Sequence, residues 1–342
     1  MTPPSGVTIH KPGKCDDGYR LYSGRQTEQA HLIEPDGRQV HSWQHEQGLT
    51  WHYAEMLPNG HLLALIKEQE GQVPGMVLEL DWDANLLWQA DVPAHHDLER
   101  LPDGNTLILG REYVENPAIR GGTIKSDYIA ELTPMGKVTW EWHIDRHIEE
   151  IVDLVPVSLP AESRNWAHTN TLESLPPNPS GVEDGRFREG NVLTSPRELD
   201  TVCIIDRDTG EVVWAWGPGE LDKQHMPTML ENGNLLIFDN GTARGYSRVI
   251  ELEPLSGEIV WQYVADPPES FYTPTRGANE RLPNGNTFIT DSDNGRLFEV
   301  TTEGEIVWEF YIFQTRDDGS PMPMYRALRY PRNLIDALIL HG

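Results

Sequence analysis

Three histidines occupy one register of an internal repeat. Counting five residues back from the leucine of Leu57-Pro58-Asn59-Gly60, Leu101-Pro102-Asp103-Gly104 and Leu230-Glu231-Asn232-Gly233 gives His52, His96 and His225. In a fourth copy, ending at Leu175-Pro176, the slot holds Asn170, with His168 two residues earlier. Alternation along a strand puts His168 and Asn170 on one face. Packing accounts for a shared Leu or Gly in a repeat, but it does not call for imidazole three times in one slot. Neutral imidazole is a nucleophile, a proton carrier and a metal ligand at about pH 7. If the copies are blades around an axis, these side chains converge on one spot and chemistry follows.

The elements that must position them are well marked. Each unit ends in a turn and a Trp strand: Gly136-Lys137-Val138-Thr139-Trp140, Gly210-Glu211-Val212-Val213-Trp214, Gly257-Glu258-Ile259-Val260-Trp261 and Gly304-Glu305-Ile306-Val307-Trp308. Degenerate copies are Ala84-Asn85-Leu86-Leu87-Trp88 and Gly37-Arg38-Gln39-Val40-His41-Ser42-Trp43. A period of about 45–50 residues with four strands per unit is the mark of a β-propeller. Alternating, β-branched segments support strands throughout. The fold expected is all-β, a single six-bladed β-propeller domain over residues 1–342. The first blade lacks its inner strand at the N-terminus, and the stretch Tyr325 to Pro331 can fill the gap. The N- and C-terminal strands would then close the ring and leave no open edge. Tyr325 and Arg326 would face the central site.

Two segments interrupt the repeat. Residues 146–166, with Pro156 and Pro160, precede the histidine of blade four and are expected to form a lid. Residues 176–189 are expected to be solvent-exposed decoration. Long loops in compact domains are often functional.

A hydrophobic fraction of 38% with 11 Trp suffices for a β core, and a net charge of −27 argues against nucleic-acid binding. The two cysteines, Cys15 and Cys203, are no disulfide framework. The N-terminal residues show no basic segment followed by an apolar run, so neither a signal peptide nor a membrane span is expected and the location expected is cytoplasmic. A removed leader would make it periplasmic or secreted. The expected partner is a small-molecule substrate, and no oligomeric state is assigned.

Several segments resemble the bacterial aryl sulfotransferases, which move sulfuryl groups between phenols without a nucleotide donor. They are His95-His96-Asp97-Leu98 before Leu101-Pro102-Asp103-Gly104, Asn165-Trp166-Ala167-His168-Thr169-Asn170-Thr171, Thr194-Ser195-Pro196-Arg197, and Gln224-His225 before Phe238-Asp239-Asn240-Gly241. The resemblance implies a six-bladed propeller with an axial site and no cofactor. It places the transiently sulfurylated nucleophile on His225. His96, His168 and Arg197 hold the sulfate oxygens, and Asn170 pairs with the histidine. The extra N-terminal β domain and the disulfide of the periplasmic members are not expected here. Its arginine motif reads Ser195-Pro196-Arg197-Glu198, and on a strand Glu198 would face away from Arg197.

This chemistry is sound on its own terms. A sulfuryl group in flight spreads negative charge over its oxygens, and fixed cations and N–H donors lower the barrier. A histidine nucleophile splits the transfer into two steps with ping-pong kinetics. Tyr53, Trp51, Trp166, Tyr272 and Tyr325 are candidates for stacking on the aryl groups. Arg326 and His52 complete the candidate substrate-binding set. The alternative is a metal-dependent propeller lyase in which His52, His96, His168 and His225 hold one divalent ion. A non-catalytic scaffold is the third reading. A quinone-dependent dehydrogenase is disfavoured, because its Trp motif coincides here with blade-packing strands.

Overall fold

The computed structural model describes residues 5–24, 27–45, 51–66, 75–119, 121–159 and 164–341. Pro160, within the expected lid, and the first four residues lie outside these. Six antiparallel sheets of four or five strands make up the protein, a six-bladed β-propeller. By compactness the chain divides into residues 1–92 with 264–342, and residues 93–263. Each unit holds three blades.

In the first unit, the strand Met324–Tyr330 pairs antiparallel with Tyr19–Gly24, as the missing inner strand requires. Tyr19 faces Tyr330 and Tyr22 faces Ala327 in that register. The N-terminal strand Gly6–His10 adds a fifth strand to the blade ending at Ile306–Tyr311, which the repeat did not foretell. A terminal helix, Arg332–His341, sends Ile335 into the core that holds Trp43 and Trp51.

In the second unit, blade three runs from Ala94–Arg100 to Val138–His143, blade four from Thr169–Ser174 to Val212–Trp216, and blade five from His225–Met229 to Glu258–Tyr263. Second strands such as Leu235–Asp239 are buried on both faces and so read as unbroken apolar runs. The aromatic of the last strand reaches the next blade. Trp142 Nε1 donates to the Gly210 carbonyl at 2.9 Å, and in the first unit Trp43 Nε1 donates to the Asp81 carbonyl at 3.1 Å. These two tryptophans tie adjacent blades together.

Both interruptions differ from expectation. Residues 148–154 form a helix that buries Ile148 and Ile151 beside Trp142 and packs on the last strand of blade four. Glu150 accepts from the Val212 backbone N–H at 2.7 Å. The apolar i, i+3 pair draws residues 148–154 onto the outer strand, away from the expected lid position, and residues 160–163 of the same segment lie outside the described residues. Residues 179–187 are likewise packed rather than decorative. Phe187 is fully buried in the core, and Ser180 Oγ donates to the Gly233 carbonyl at 2.9 Å.

The first strand of a blade is a sheet edge whose N–H groups lack a strand partner, a liability that must be met. Carboxylates meet it here. Glu99 of blade three accepts from the Ser174 N–H at 2.6 Å, and Glu173 of blade four accepts from the Met229 N–H at 2.8 Å. Burial pushes the Glu99 carboxyl up to about 7, opposed by the Ser174 hydrogen bond, with Asp97 adding to the rise. Burial likewise raises Glu173 well above the carboxylate range. A folded-state pKa above the unfolded value of 4.5 gives stability that is full below that value and lost as pH rises through about 7. Glu99→Gln keeps an acceptor and removes the titration. Its loss of unfolding free energy between about pH 5 and about pH 8, read from urea denaturation, should be smaller than wild type's by about 1–3 kcal/mol. An unchanged pH dependence would contradict this account of the strand edge.

Candidate active site

His225 opens the first strand of blade five and is buried. Its Nδ1 lies 2.7 Å from Asn240 Oδ1 and 3.2 Å from the Lys223 carbonyl. Both oxygens can only accept, so Nδ1 carries the proton and Nε2 carries the lone pair. The backbone is bent to present this ring. Lys223 and Met226, on either side, have φ of 61° and 47°, and the strand register shifts between His225 and Thr228. Left-handed φ at residues with a Cβ is uncommon and clusters at functional sites.

The same distortion recurs in the neighbouring blades. His96 and His168 have φ of 61° and 49°, and their blades carry register shifts near these positions. Bulges of this kind re-aim side chains. His168 therefore precedes its strand in a conformation where alternation does not apply, which corrects the expectation that it shares a strand face with Asn170. The imidazoles of His96 and His168 meet with Nε2 atoms 3.3 Å apart. Asn170, fully buried, donates through Nδ2 to the Gln224 carbonyl at 2.8 Å and so anchors the backbone next to His225. The resemblance paired Asn170 with the histidine; the residue that orients the His225 ring is Asn240.

Arg197 does not lie on a strand. Residues 197–199 form a single 3-10 turn, with the Arg197 N–H donating to the His168 carbonyl at 3.4 Å. In a turn this tight, adjacent side chains can meet, and Arg197 Nη1 donates to Glu198 Oε1. The expectation that Glu198 faces away is thus corrected. Lys223 Nζ lies 3.4 Å from Glu198 Oε2, so the carboxylate sits between two cations. Burial, together with the neighbouring Arg197 and His95, pulls His168 down to about 4 against the pull of Asp127 and Glu198. At neutral pH it is uncharged.

His95 is fully buried and touches His96, with Nδ1 atoms 2.5 Å apart. Its Nε2 lies 3.0 Å from the Gly110 carbonyl and 3.2 Å from Asp127 Oδ1. Arg111 Nε is 3.8 Å from the same Asp127 oxygen.

His52, Tyr53, Tyr325 and Arg326 belong to the first unit. The His52 and Tyr325 rings lie 4.5 Å apart, and the buried Arg326 guanidinium sits 5.2 Å from the Tyr53 ring and 5.0 Å from the Tyr325 ring. Trp51 and Trp166 are buried in blade cores and are removed from the stacking candidates. As for a metal, one set of three His, Cys, Asp or Glu ligand atoms within 4.8 Å of one another exists among the described residues: Glu112, His143 and Asp145. None of the four histidines proposed as metal ligands is in it. Glu112 holds the Nδ1 of His143.

A family model described as arylsulfotransferase (ASST) matches residues 53–314. The chain belongs to this family. No curated protein matches the sequence significantly. A protein of unknown function from Bacteroides caccae is similar with a TM-score of 0.60 at 17% identity, over 93% of this chain and 100% of that one. A streptogramin B lyase is similar with a TM-score of 0.51 at 12% identity, over 96% of this chain and 94% of that one. At such identities the likeness concerns the fold alone, and one fold hosts many chemistries. Within the arylsulfotransferase family, the resemblance that the sequence carries falls on His96, His168, Asn170, Arg197 and His225, all in the second unit. Among the described residues no helix is long and apolar enough to cross a membrane.

Proposed function

We propose that the protein transfers a sulfuryl group from an aryl sulfate to a phenol through a covalent intermediate on His225. The observation that carries this reading is the His225 tautomer. With Nδ1–H held by Asn240 and the Lys223 carbonyl, the nucleophilic lone pair is at Nε2 without any general base. In the first half-reaction Nε2 attacks sulfur and the S–O bond to the aryl group breaks. In the second, the acceptor phenol oxygen attacks sulfur and the S–N bond breaks. Arg197 supplies positive charge, and the paired imidazoles of His96 and His168 supply N–H donors, for the sulfuryl oxygens. Family membership supports the choice of substrate class. No metal is needed for these steps.

Release of nitrophenolate from 4-nitrophenyl sulfate tests the reading. Release should depend on an added phenol, and initial rates at varied donor and acceptor should give parallel double-reciprocal lines. Absence of acceptor-dependent release would contradict it.

A further inference from the structure

A string of three imidazoles runs through the site from a buried carboxylate. His95 Nε2 lies 3.0 Å from the Gly110 carbonyl, which only accepts, so Nε2 carries the His95 proton, and the Asp127 carboxylate lies 3.2 Å from the same nitrogen. His95 Nδ1 then has the lone pair, and His96 Nδ1, 2.5 Å away, must donate to it. His96 Nε2 is left as an acceptor, and His168 Nε2 donates to it across 3.3 Å. His168 Nδ1 ends as an acceptor, matched by the Asn165 Nδ2 donor at 2.5 Å. In this arrangement each of the three rings carries one proton. The Gly110 carbonyl, which can only accept, sets the direction of the string.

We propose that Asp127 and His95 are positioning residues that fix the His96 tautomer and allow His96 to hold an added proton. The inference rests on the sulfuryl-transfer reading above. With one more proton, His96 Nε2–H and His168 Nε2–H both become donors, and the two turn toward a shared anion. The positive charge is spread through His95 toward Asp127. Asp127 is ionised: burial opposes this, but His95 and Arg111 hold its carboxyl below the usual range. The charged and titratable groups around the string are Arg111, Asp127, Arg197 and Glu198. The proton has a complete cycle. It goes to the departing aryl oxygen as S–O breaks, and it returns from the acceptor phenol O–H as that oxygen attacks sulfur. His96 and His168 are the groups that touch the substrate, whereas Asp127 and His95 act through them.

The test uses aryl sulfates whose phenols differ in acidity. Nitrophenolate leaves without a proton, whereas the phenolate of phenyl sulfate needs one. Asp127→Asn should lower kcat/KM about 10-fold with 4-nitrophenyl sulfate and about 1,000-fold with phenyl sulfate, within the range of general acid catalysis. The alkaline limb of the pH profile with phenyl sulfate should move to lower pH by about one unit, as the anion favouring the protonated string is gone. An equal loss with both donors and an unmoved profile would mean a merely structural role and overturn the proposal. His95→Gln, which retains a donor toward Gly110 and Asp127, provides a second variant with the same expected pattern if Asp127→Asn does not fold. Imidazole nitrogen NMR separates this inference from the activity itself. Wild type should show His95 protonated at Nε2 and His96 at Nδ1, and either variant should show mixed tautomers at His96. A wild-type His96 protonated at Nε2 would overturn the proposal whatever the protein catalyses.

Discussion

His225→Ala is expected to reduce turnover by about 10⁴-fold or more while leaving the fold intact, because loss of a nucleophile removes the chemical step itself. The loss should appear in kcat rather than in KM. It should also remove the single-turnover release of phenolate that precedes acceptor attack. The side chain is buried and hydrogen-bonded to the buried Asn240, so a lower melting temperature is expected beside the kinetic loss, with the fold retained. Measuring the pre-steady-state burst from 4-nitrophenyl sulfate checks this directly. A variant that keeps the burst would place the nucleophile elsewhere.

Arg197→Ala is expected to lower kcat by about 100- to 1,000-fold, the usual consequence of removing one preorganised donor to developing negative charge. Arg197→Lys should restore little of it, since a guanidinium fork can serve Glu198 and a sulfuryl oxygen together and an ammonium cannot match that planar geometry. The steady-state rates of the three proteins with one donor and one acceptor decide the point. If Lys restored full activity, only the charge at position 197 would matter.

The repeat made much of this legible. Its turns and Trp strands gave six blades, and the absent first strand called for the C-terminal Met324–Tyr330. Asn170 emerged from the shared slot, yet the structure gives it the backbone before His225 rather than the ring itself. What escaped the reading did so for local physical reasons. Strand alternation put His168 and Asn170 on one face, but left-handed φ at His168, as at His96, breaks the period of two. His95 carried no signal beyond its place in a motif, and the structure sets it against His96. Arg197 and Glu198 were read as a strand where Pro196 leads into a 3-10 turn, which brings the two together. Asp127 sits in the long third strand of blade three, Thr123–Leu132, and no motif marks it. Asn240 stood inside a quoted motif, but its partnership with His225 spans the strand pairing of His225 with Phe238, a register that composition does not reveal. The repeat also placed His52 in the same slot as His96 and His225, and the structure puts its ring beside Tyr325.

The central claim is a covalent sulfuryl group on His225 Nε2. The direct measurement mixes the protein with an aryl sulfate in the absence of any phenol, quenches in alkali to protect the S–N bond, and reads the masses of the proteolytic peptides. The peptide containing His225 should gain the mass of one SO₃ group and lose it when a phenol is added before the quench. A protein that releases phenolate without carrying this adduct, or carries it on another residue, would contradict the account.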